Sequence, residues 1–420
     1  MKLPIYALAL LFCLFPYTQL FPLSSYTQPY ALIFSAVAAL LALPTVWRTM
    51  NGSDLVALLL LAGLGLAAFL LTALPGPGPQ EFKYLLIYVS PIVFALAAFG
   101  IVIEAPRLAD RVVLFAALAW IFVGVVQAVI SPDFMTQFVG EFSEVSDDVV
   151  ASGRGTLGLA PEPTHFGFHM VLLAALAVLI GGRNLLALAC LVTAVLAARS
   201  SSALLALSLG ALIYLLLYGG WMRLALAALV PLYLVLGLVI DSGMLPQSVR
   251  AVVLLTEFYN DPLYLVTSDA STNARLGGIF VGVQESLHNW LIPAGIDHEQ
   301  WLARIGPIQV RNNWLIFLST AGVPSGILIV VYQTGIFGML VMAYLLYRML
   351  HNPRSHIEAF LSCSVVFVFF SQYMLSTPGF GVIIGVVFAR EHFIRSSPVT
   401  PLAPQSPPPA SSAPQAAYAQ

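Results

Sequence analysis

The chain has 420 residues, of which 60% are hydrophobic and only 9% are charged. A soluble globular domain is roughly 45–50% apolar and about 25% charged, so the composition excludes an ordinary soluble protein and indicates a polytopic membrane protein. The net charge of −2 offers no basic surface to nucleic acid. The three cysteines lie in apolar segments without metal-ligand spacing, which is typical of small buried residues.

Apolar runs of membrane-spanning length recur along the whole chain. About 20 apolar residues cross the hydrocarbon core, and about 17 are still adequate. By this measure we predict an all-α membrane domain over 1–395 with about twelve spans, near 3–21, 29–46, 55–74, 84–103, 112–130, 164–181, 184–198, 202–218, 222–240, 312–347, 358–376 and 379–394. Pro324 and Gly326 are placed to divide the tenth span into a short piece and a full span.

Two long loops interrupt these spans, at 131–163 and 241–311. The second is too long for a passive connection and contains apparent helical pieces around 247–259 and 274–291, so we predict a small folded helical cap. Beyond the last span, 396–420 is rich in proline, serine and alanine, a composition that predicts a disordered tail.

The distribution of charge predicts the orientation in the membrane. Ten of the seventeen basic residues fall on the side of the N-terminus when the connections are numbered alternately, and fourteen of the nineteen acidic residues fall on the other side. Short cytoplasmic connections carry an excess of lysine and arginine. We therefore predict that both termini are cytoplasmic and that both long loops lie outside.

The stretch R-G-T-L-G-L-A-P-E-P-T-H-F-G-F-H-M, residues 154–170, closes the first long loop and opens the sixth span. Pro163 suits the first turn of a helix, because its missing N–H would have no partner there. Glu162 then lies at the positive end of that helix, at the border of water and hydrocarbon. This position fits either a helix cap or a catalytic or ligand-binding carboxylate.

Two histidines follow at a spacing of four residues in the same stretch. His165 and His169 share one helix face, and a metal ion bound to both would need Glu162 as its third ligand. The interpretation we prefer is that His165 forms hydrogen bonds in a pocket and that His169 packs between spans. We therefore predict no metal site.

Positive charge on the outer side needs a physical reason. Four arginines there lie near a span or a helical piece of the cap: Arg154, Arg199, Arg275 and Arg311. If they converge, they form an anion-binding pocket, because the planar guanidinium suits pyrophosphate. The alternative is that each pairs with an outer acid, which we prefer for Arg250 and Arg304. At the outer end of a span, Arg199 could also simply extend to the interface.

Four short motifs carry a resemblance to a known family. They are R-G-T-L-G-L-A-P-E-P, A-R-S-S-S-A, N-A-R-L-G-G-I-F-V-G-V-Q-E-S-L-H-N-W-L-I-P-A-G and R-N-N-W-L-I-F-L-S-T-A-G-V-P-S-G. In this order and with this predicted topology, the chain resembles the O-antigen polymerase and O-antigen ligase superfamily of bacterial cell-surface polysaccharide assembly. The resemblance covers 150–330 by motif and 1–395 by architecture.

The resemblance implies a GT-C-like glycosyltransferase of the bacterial inner membrane that needs no metal, nucleotide or other cofactor. Its substrate would be a polyprenyl-pyrophosphate-linked oligosaccharide, and its partners would be the lipid bilayer and possible chain-length regulators. Glu162 or His165 would take the proton of the acceptor hydroxyl. The pyrophosphate and glycan would be bound by Arg154, Arg199, Arg275, Arg311 and Asn312.

Within this family the sequence favours a polymerase of O-antigen or exopolysaccharide repeat units. Ligases usually carry a histidine before the asparagine that opens the span after the large loop, and here Arg311 precedes Asn312. A ligase that transfers glycan to lipid A core is the alternative within the family. A transporter of lipid-linked oligosaccharide is the alternative from another class, but the internal repeats common in transporters are not found. A non-catalytic scaffold would leave the outer arginines unexplained.

Overall fold

A computed structural model gives the fold. It describes residues 2–19, 27–72, 78–139, 155–218, 256–257, 259–261, 267, 270–315, 318–320, 322–323, 325–371 and 375–396. Within these ranges, only the backbone is described at 79–80, 201, 270–272, 275 and 393–396. The regular elements among the described residues are helices, with no β-strand among them.

The helices described are α1 Lys2–Leu14, α2 Tyr30–Thr49, α3 Gly52–Thr72, α4 Pro79–Glu104, α5 Pro106–Val129, α6 Pro163–Gly181, α7 Asn184–Leu196, α8 Ser201–Tyr218, α9 Ala270–His288, α10 His298–Arg311, α11 Gly326–Leu350, α12 His356–Phe370 and α13 Pro378–Ser396. In the described part of the chain, six of them are long and apolar enough to cross a membrane, namely α2 to α6 and α11. Four further apolar helices are shorter: α1, α7, α8 and α12. The prediction of an all-helical membrane protein is therefore confirmed.

Most predicted spans coincide with a helix, but three boundaries were wrong. The span predicted to end at 376 corresponds to α12, which ends at Phe370. The first span was expected to reach 21, whereas α1 ends at Leu14, two residues before Pro16. The tenth was expected from 312, whereas α11 begins only at Gly326, because Ser325 caps it by accepting a hydrogen bond from Leu328 N. The described residues between 312 and 325 are not helical. The predicted span 222–240 lies outside the described residues.

The predicted cap is described in part. Its second helical piece is present as α9, while the first, around 247–259, lies almost entirely outside the described residues. A further helix, α10, was not predicted. Asp297 caps it by accepting a hydrogen bond of 3.1 Å from Gln300 N. The tail from 397 onward also lies outside the described residues.

The last helix, α13, lies at the centre of the bundle. It packs against α1, α2, α4, α6 and α11, and it is buried without interruption from Pro378 to Arg390. A Cβ atom on Gly381 or Gly385 would overlap with the carbonyl oxygen of Pro91 or Ala95 on α4. Small residues that let two backbones approach are a main source of helix association in membranes, where lipid is as apolar as leucine.

On one side of the bundle, buried ion pairs connect the ends of neighbouring helices. Arg348, near the end of α11, binds Asp54 at the start of α3, and its Nε lies 3.2 Å from Oε1 of Glu391 near the end of α13. Arg390 binds Glu358 in the first turn of α12. The contacts bring the starts of α3 and α12 and the ends of α11 and α13 to one side, as antiparallel neighbours require. We call this side the ion-pair face.

Two further ion pairs extend the ion-pair face across the other helices. Lys2 at the start of α1 lies 3.0 Å from Glu104 at the end of α4. Arg183, between α6 and α7, forms two bonds of 2.6 and 2.7 Å with Asp110 near the start of α5. The up-and-down order expected from the alternating connections is thus present in the contacts among these helices.

Within its first half, α11 is interrupted at Gly335, which has φ 64° and ψ −145°. The segment 291–295 occupies the gap and makes the backbone hydrogen bonds that the helix cannot make. Ala294 N donates to Tyr332 O at 3.1 Å, and Leu291 O accepts from Ile336 N at 2.9 Å. Such a break is tolerated inside a membrane protein only where other protein groups satisfy the exposed backbone.

Candidate functional site

The loop before α6 is tied to the end of α5 by one buried glutamine. Gln127 Nε2 donates to Gly158 O at 2.9 Å and to Phe134 O at 2.8 Å, while its Oε1 accepts from Gly158 N at 2.6 Å. Gly158 has a positive φ of 59° and lies against the ring of Phe166 in the second turn of α6. The carboxamide therefore sets the path of the chain that leads to Glu162.

The same loop lies against the turn between α7 and α8. Thr156 N donates to Ala197 O at 3.0 Å, and Gly155, with φ 138°, leaves no space for a Cβ beside Ala198 O. The first two motifs, R-G-T-L-G-L and A-R-S-S-S, are therefore neighbours in space. Arg154 itself lies outside the described residues.

Arg199 lines a cavity of about 140 Å³ at this contact, together with Gln127 and Thr156. Its side chain is exposed, and its backbone has a positive φ of 46°, which costs a non-glycine residue about 1–2 kcal/mol. Thr156 Oγ1 beside it is buried and has no hydrogen-bond partner among the described residues, and the same holds for Ser202 Oγ. A polar ligand at Arg199 would have hydroxyl groups close at hand.

The starts of α6 and α8 pack directly against each other. A Cβ on Gly167 would lie 2.8 Å from the Cβ atoms of Ser200 and Ala203. Ser200 caps α8, since its Oγ accepts a hydrogen bond of 3.2 Å from Ala203 N. Glu162 and Arg199, which each come just before one of these helices, therefore stand at adjacent helix starts.

Glu162 does not cap α6 through its side chain. The residue has an extended backbone with φ −142° and ψ 149°, its carbonyl accepts from Phe166 N at 3.1 Å, and its side chain makes no capping hydrogen bond. The capping alternative raised by the sequence is thus not realised. The half-buried carboxylate stays at the positive end of the helix, where it can act on a ligand.

The two histidines of α6 have different surroundings. His169 is buried, its Nε2 lies 2.8 Å from Leu14 O, and its ring lies 4.4 Å from that of Trp120. The prediction that it packs between spans is confirmed. His165 is half-buried, with its ring 5.6 Å from that of Tyr17. In the described residues, no three His, Cys, Asp or Glu side chains are grouped so as to hold a metal ion.

A second polar cluster lies between the cap helices. Glu285 on α9 is only 2% exposed, and its Oε1 lies 2.5 Å from Arg311 Nη2 at the end of α10. Its Oε2 lies 3.9 Å from Arg304, whose guanidinium stands 5.8 Å above the ring of Tyr332. The expectation that Arg304 pairs with an acid is confirmed, and Arg311 shares the same acid.

Asn312 and its neighbours hold the third and fourth motifs together. Its Nδ2 donates to Gln284 Oε1 and to Ile308 O, both at 3.0 Å, and the side chain is buried. Asn273 Nδ2 donates to Trp314 O at 2.8 Å. The helix α9 thus packs along the chain that enters α11. Arg275 lies on α9, but its side chain is not among those described.

The predicted residues that are described lie in two regions, which correspond to the two polar clusters. Glu162, His165 and Arg199 lie at the adjoining starts of α6 and α8, and Arg311 and Asn312 lie at the end of α10. The convergence of all four arginines on one pocket stays a prediction, because Arg154 and the side chain of Arg275 are outside the described part of the chain.

Sequence reasoning overlooked Gln127 and Glu285, although each carries a signal. Gln127 is a lone amide in the run I-F-V-G-V-V-Q-A-V, and Glu285 is the acid in G-V-Q-E-S. A polar group that is buried among apolar residues is costly unless it is bonded, so it marks a contact.

Together, the fold and these clusters define an all-helical integral membrane protein. At the adjoining starts of two helices it carries an arginine and a glutamate whose side chain does not cap its helix. A search of protein-family models and of curated proteins finds no match to the chain.

Proposed function

We propose that the protein polymerises oligosaccharide repeat units carried on polyprenyl pyrophosphate, during synthesis of O-antigen or exopolysaccharide. The observation that carries the proposal is the contact between the loop at Gly155–Leu157 and the turn at Arg199. The same loop leads to Glu162, whose side chain does not cap α6. It supports an acid–base group and an anion-binding group within one site. The four motifs that suggested the family also pair in space, the first with the second and the third with the fourth.

The proposed topology is a GT-C-like bundle of about twelve spans in the bacterial inner membrane. The ion-pair face carries Arg183, Arg348, Arg354 and Arg390 at or near short connections, so the positive-inside rule assigns it to the cytoplasm. Both termini are then cytoplasmic. The two polar clusters belong to the opposite side, which becomes the periplasmic face where lipid-linked glycans are joined.

The proposed reaction needs only groups of the protein and its substrates. An acceptor hydroxyl oxygen attacks the anomeric carbon of the donor sugar, and the bond from that carbon to the pyrophosphate oxygen breaks. The hydroxyl proton passes to Glu162 or His165, and polyprenyl pyrophosphate leaves with the bonding electrons. Arg199 stabilises the charge that develops on the leaving group.

Arg311 can contribute to the same step despite its ion pair. Glu285 engages one Nη, and the Arg311 side chain remains 40% exposed, so the rest of the guanidinium stays available to an anion. Asn312 is buried against Gln284 and has the role of positioning Arg311. A chain-length regulator is a further partner that fits a polymerase.

The test uses purified protein in nanodiscs, supplied only with a polyprenyl-pyrophosphate-linked repeat unit, with chelator present and nucleotide absent. We expect a ladder of products on gels. Arg199→Ala should reduce ladder formation by about 10²–10³-fold, as removal of a charge-stabilising donor does in other enzymes. Glu162→Gln should reduce it by about 10²–10⁴-fold if Glu162 is the proton acceptor. Arg107→Ala is the control, because this exposed arginine lies at the start of α5 on the ion-pair face.

Other outcomes separate the competing functions. Transfer to added lipid A core without a ladder would make the protein a ligase. Passage of the lipid-linked glycan across a vesicle membrane without any glycosidic bond formation would make it a transporter and refute the proposal. Arg275→Ala and Arg311→Ala should also lose polymer while the protein stays inserted. Wild-type amounts of polymer in both variants would show that the cap helices do not contribute to the active site.

A further inference from the structure

A cleft of about 760 Å³ opens on the ion-pair face, where α8 and α11 end and α12 begins. One wall is apolar or aromatic, formed mainly by Leu217, Tyr218 and Tyr347, and the other is the connection from His351 to His356. Among the described residues, no carboxylate lines this cleft. It lies at the other side of the bundle from the two polar clusters.

Arg354 differs from the two buried arginines next to it. Arg348 and Arg390 are each matched by carboxylates, whereas no ion pair of Arg354 is found among the described residues. Arg354 donates to the backbone carbonyl of Arg390 at 3.2 Å, and the nearby carboxylate of Glu358, which attracts it, is already bound by Arg390. The side chain is exposed to the cleft, and the desolvation of its guanidinium by the walls lowers the pKa of Arg354. The positive charge at this position is therefore not compensated by an ion pair in the described part of the protein.

The connection that carries Arg354 is held in place at both ends. His351 O accepts a hydrogen bond of 2.9 Å from Arg390 Nη2, and Ser355 Oγ accepts one of 3.1 Å from Glu358 N. The ring of His356 is also held, since the Tyr214 hydroxyl on α8 lies 2.9 Å from His356 Nδ1. The basic groups thus form a preorganised set instead of a group of unrestrained surface side chains.

The apolar wall continues onto the surface that faces the membrane. Tyr347 is 54% exposed and Leu217 is 57% exposed, and both belong to apolar helices of the bundle. A ligand in the cleft would therefore contact a cationic rim at one end and hydrocarbon at the other. A free anion would use only the rim.

We propose that this cleft binds the phosphate headgroup of an anionic phospholipid from the adjacent leaflet. Arg354 binds the phosphate oxygens through its planar fork, His351 and His356 flank the headgroup, and an acyl chain follows the wall at Leu217 and Tyr347. The site is independent of the proposed glycosyl transfer, since it lies at the opposite face.

The test is native mass spectrometry of the full-length protein released from nanodiscs that contain phosphatidylglycerol and phosphatidylcholine. We expect retained phosphatidylglycerol, bound about tenfold more weakly by Arg354→Gln, because a hydrogen bond to a charged group contributes roughly that factor. Arg48→Gln is the matched control, since it removes the same charge from an exposed arginine at the end of α2. Arg354→Lys should bind with intermediate strength, because it keeps the charge without the fork.

Three results would overturn the proposal. One is equal retention of both lipids by the wild-type protein. Another is an equal loss of bound phosphatidylglycerol in Arg48→Gln and Arg354→Gln, which would show that the lipid is attracted to the basic face in general. The third is full displacement of the lipid by millimolar glycerol phosphate, which would make the ligand a free phosphate compound and not a membrane lipid.

Discussion

Replacing Gln127 by alanine would remove the side chain that ties the first polar cluster to α5. The carboxamide makes three hydrogen bonds of 2.6–2.9 Å, all to backbone groups of Gly158 and Phe134. Each contributes about 0.5–1.5 kcal/mol net, and a buried group left without a partner costs about 1–3 kcal/mol. We therefore expect Gln127→Ala to lower the free energy of unfolding by about 2–4 kcal/mol.

The measurement is reversible unfolding of the protein in mixed micelles by titration with sodium dodecyl sulfate. Gln137→Ala is the control, because Gln137 is exposed and its loss should change the free energy by no more than about 0.5 kcal/mol. Under conditions where both variants are fully folded, Gln127→Ala should still form less polymer, since the loop it holds carries Thr156 and leads to Glu162. Equal unfolding free energies for the two variants would refute the argument that the carboxamide holds this loop.

Three further substitutions test other parts of the fold by the same titration. Arg348→Met leaves two carboxylates without their cation and should cost about 3–5 kcal/mol, whereas Arg48→Met at an exposed site should cost little; equal effects would contradict the buried ion pair. Gly335→Ala should cost more than about 2 kcal/mol, because its Cβ would overlap with a carbonyl oxygen. Gly182→Ala shares the positive φ but has open space around it, so about 1 kcal/mol is expected, and a larger loss there would show that strain alone dominates. Glu285→Gln should cost about 1–2 kcal/mol by weakening its bonds to two arginines, and unchanged stability would mean that the ion pairs contribute nothing.

The helices were largely predictable, because their length and apolar character follow from the thickness of a bilayer. The start of α6 could be placed at Pro163 from the chemistry of proline alone, and the packing of His169 followed from its position in an apolar run. The helix α10 was not predicted, because a search for apolar spans does not detect an amphipathic segment. The spacing of Asp297 and Gln300, which is typical of a helix start, would have revealed it.

The pairing of side chains was less predictable. Glu285 and Arg311 are 26 residues apart, and Gln127 and Gly158 are 31 residues apart. The sequence places fourteen acidic residues on the predicted outer side, and each of them is a candidate ion-pair partner for each arginine there. Only the packing of the helices selects one of them. For the same reason, the motifs suggested that Arg199 approaches the loop before α6, but their spacing along the chain did not determine that contact.

The position of α13 has a consequence for biosynthesis. It is translated after the twelve described helices before it, yet it fills the middle of the bundle between α4 and α6. Until α13 has been synthesised and inserted, the surface of α4 that it covers is exposed to lipid. Glu358 lacks its partner Arg390, and Arg348 lacks its partner Glu391. A stop codon shortly before Pro378 would therefore yield a chain that lacks the central helix, although most of the protein has been made.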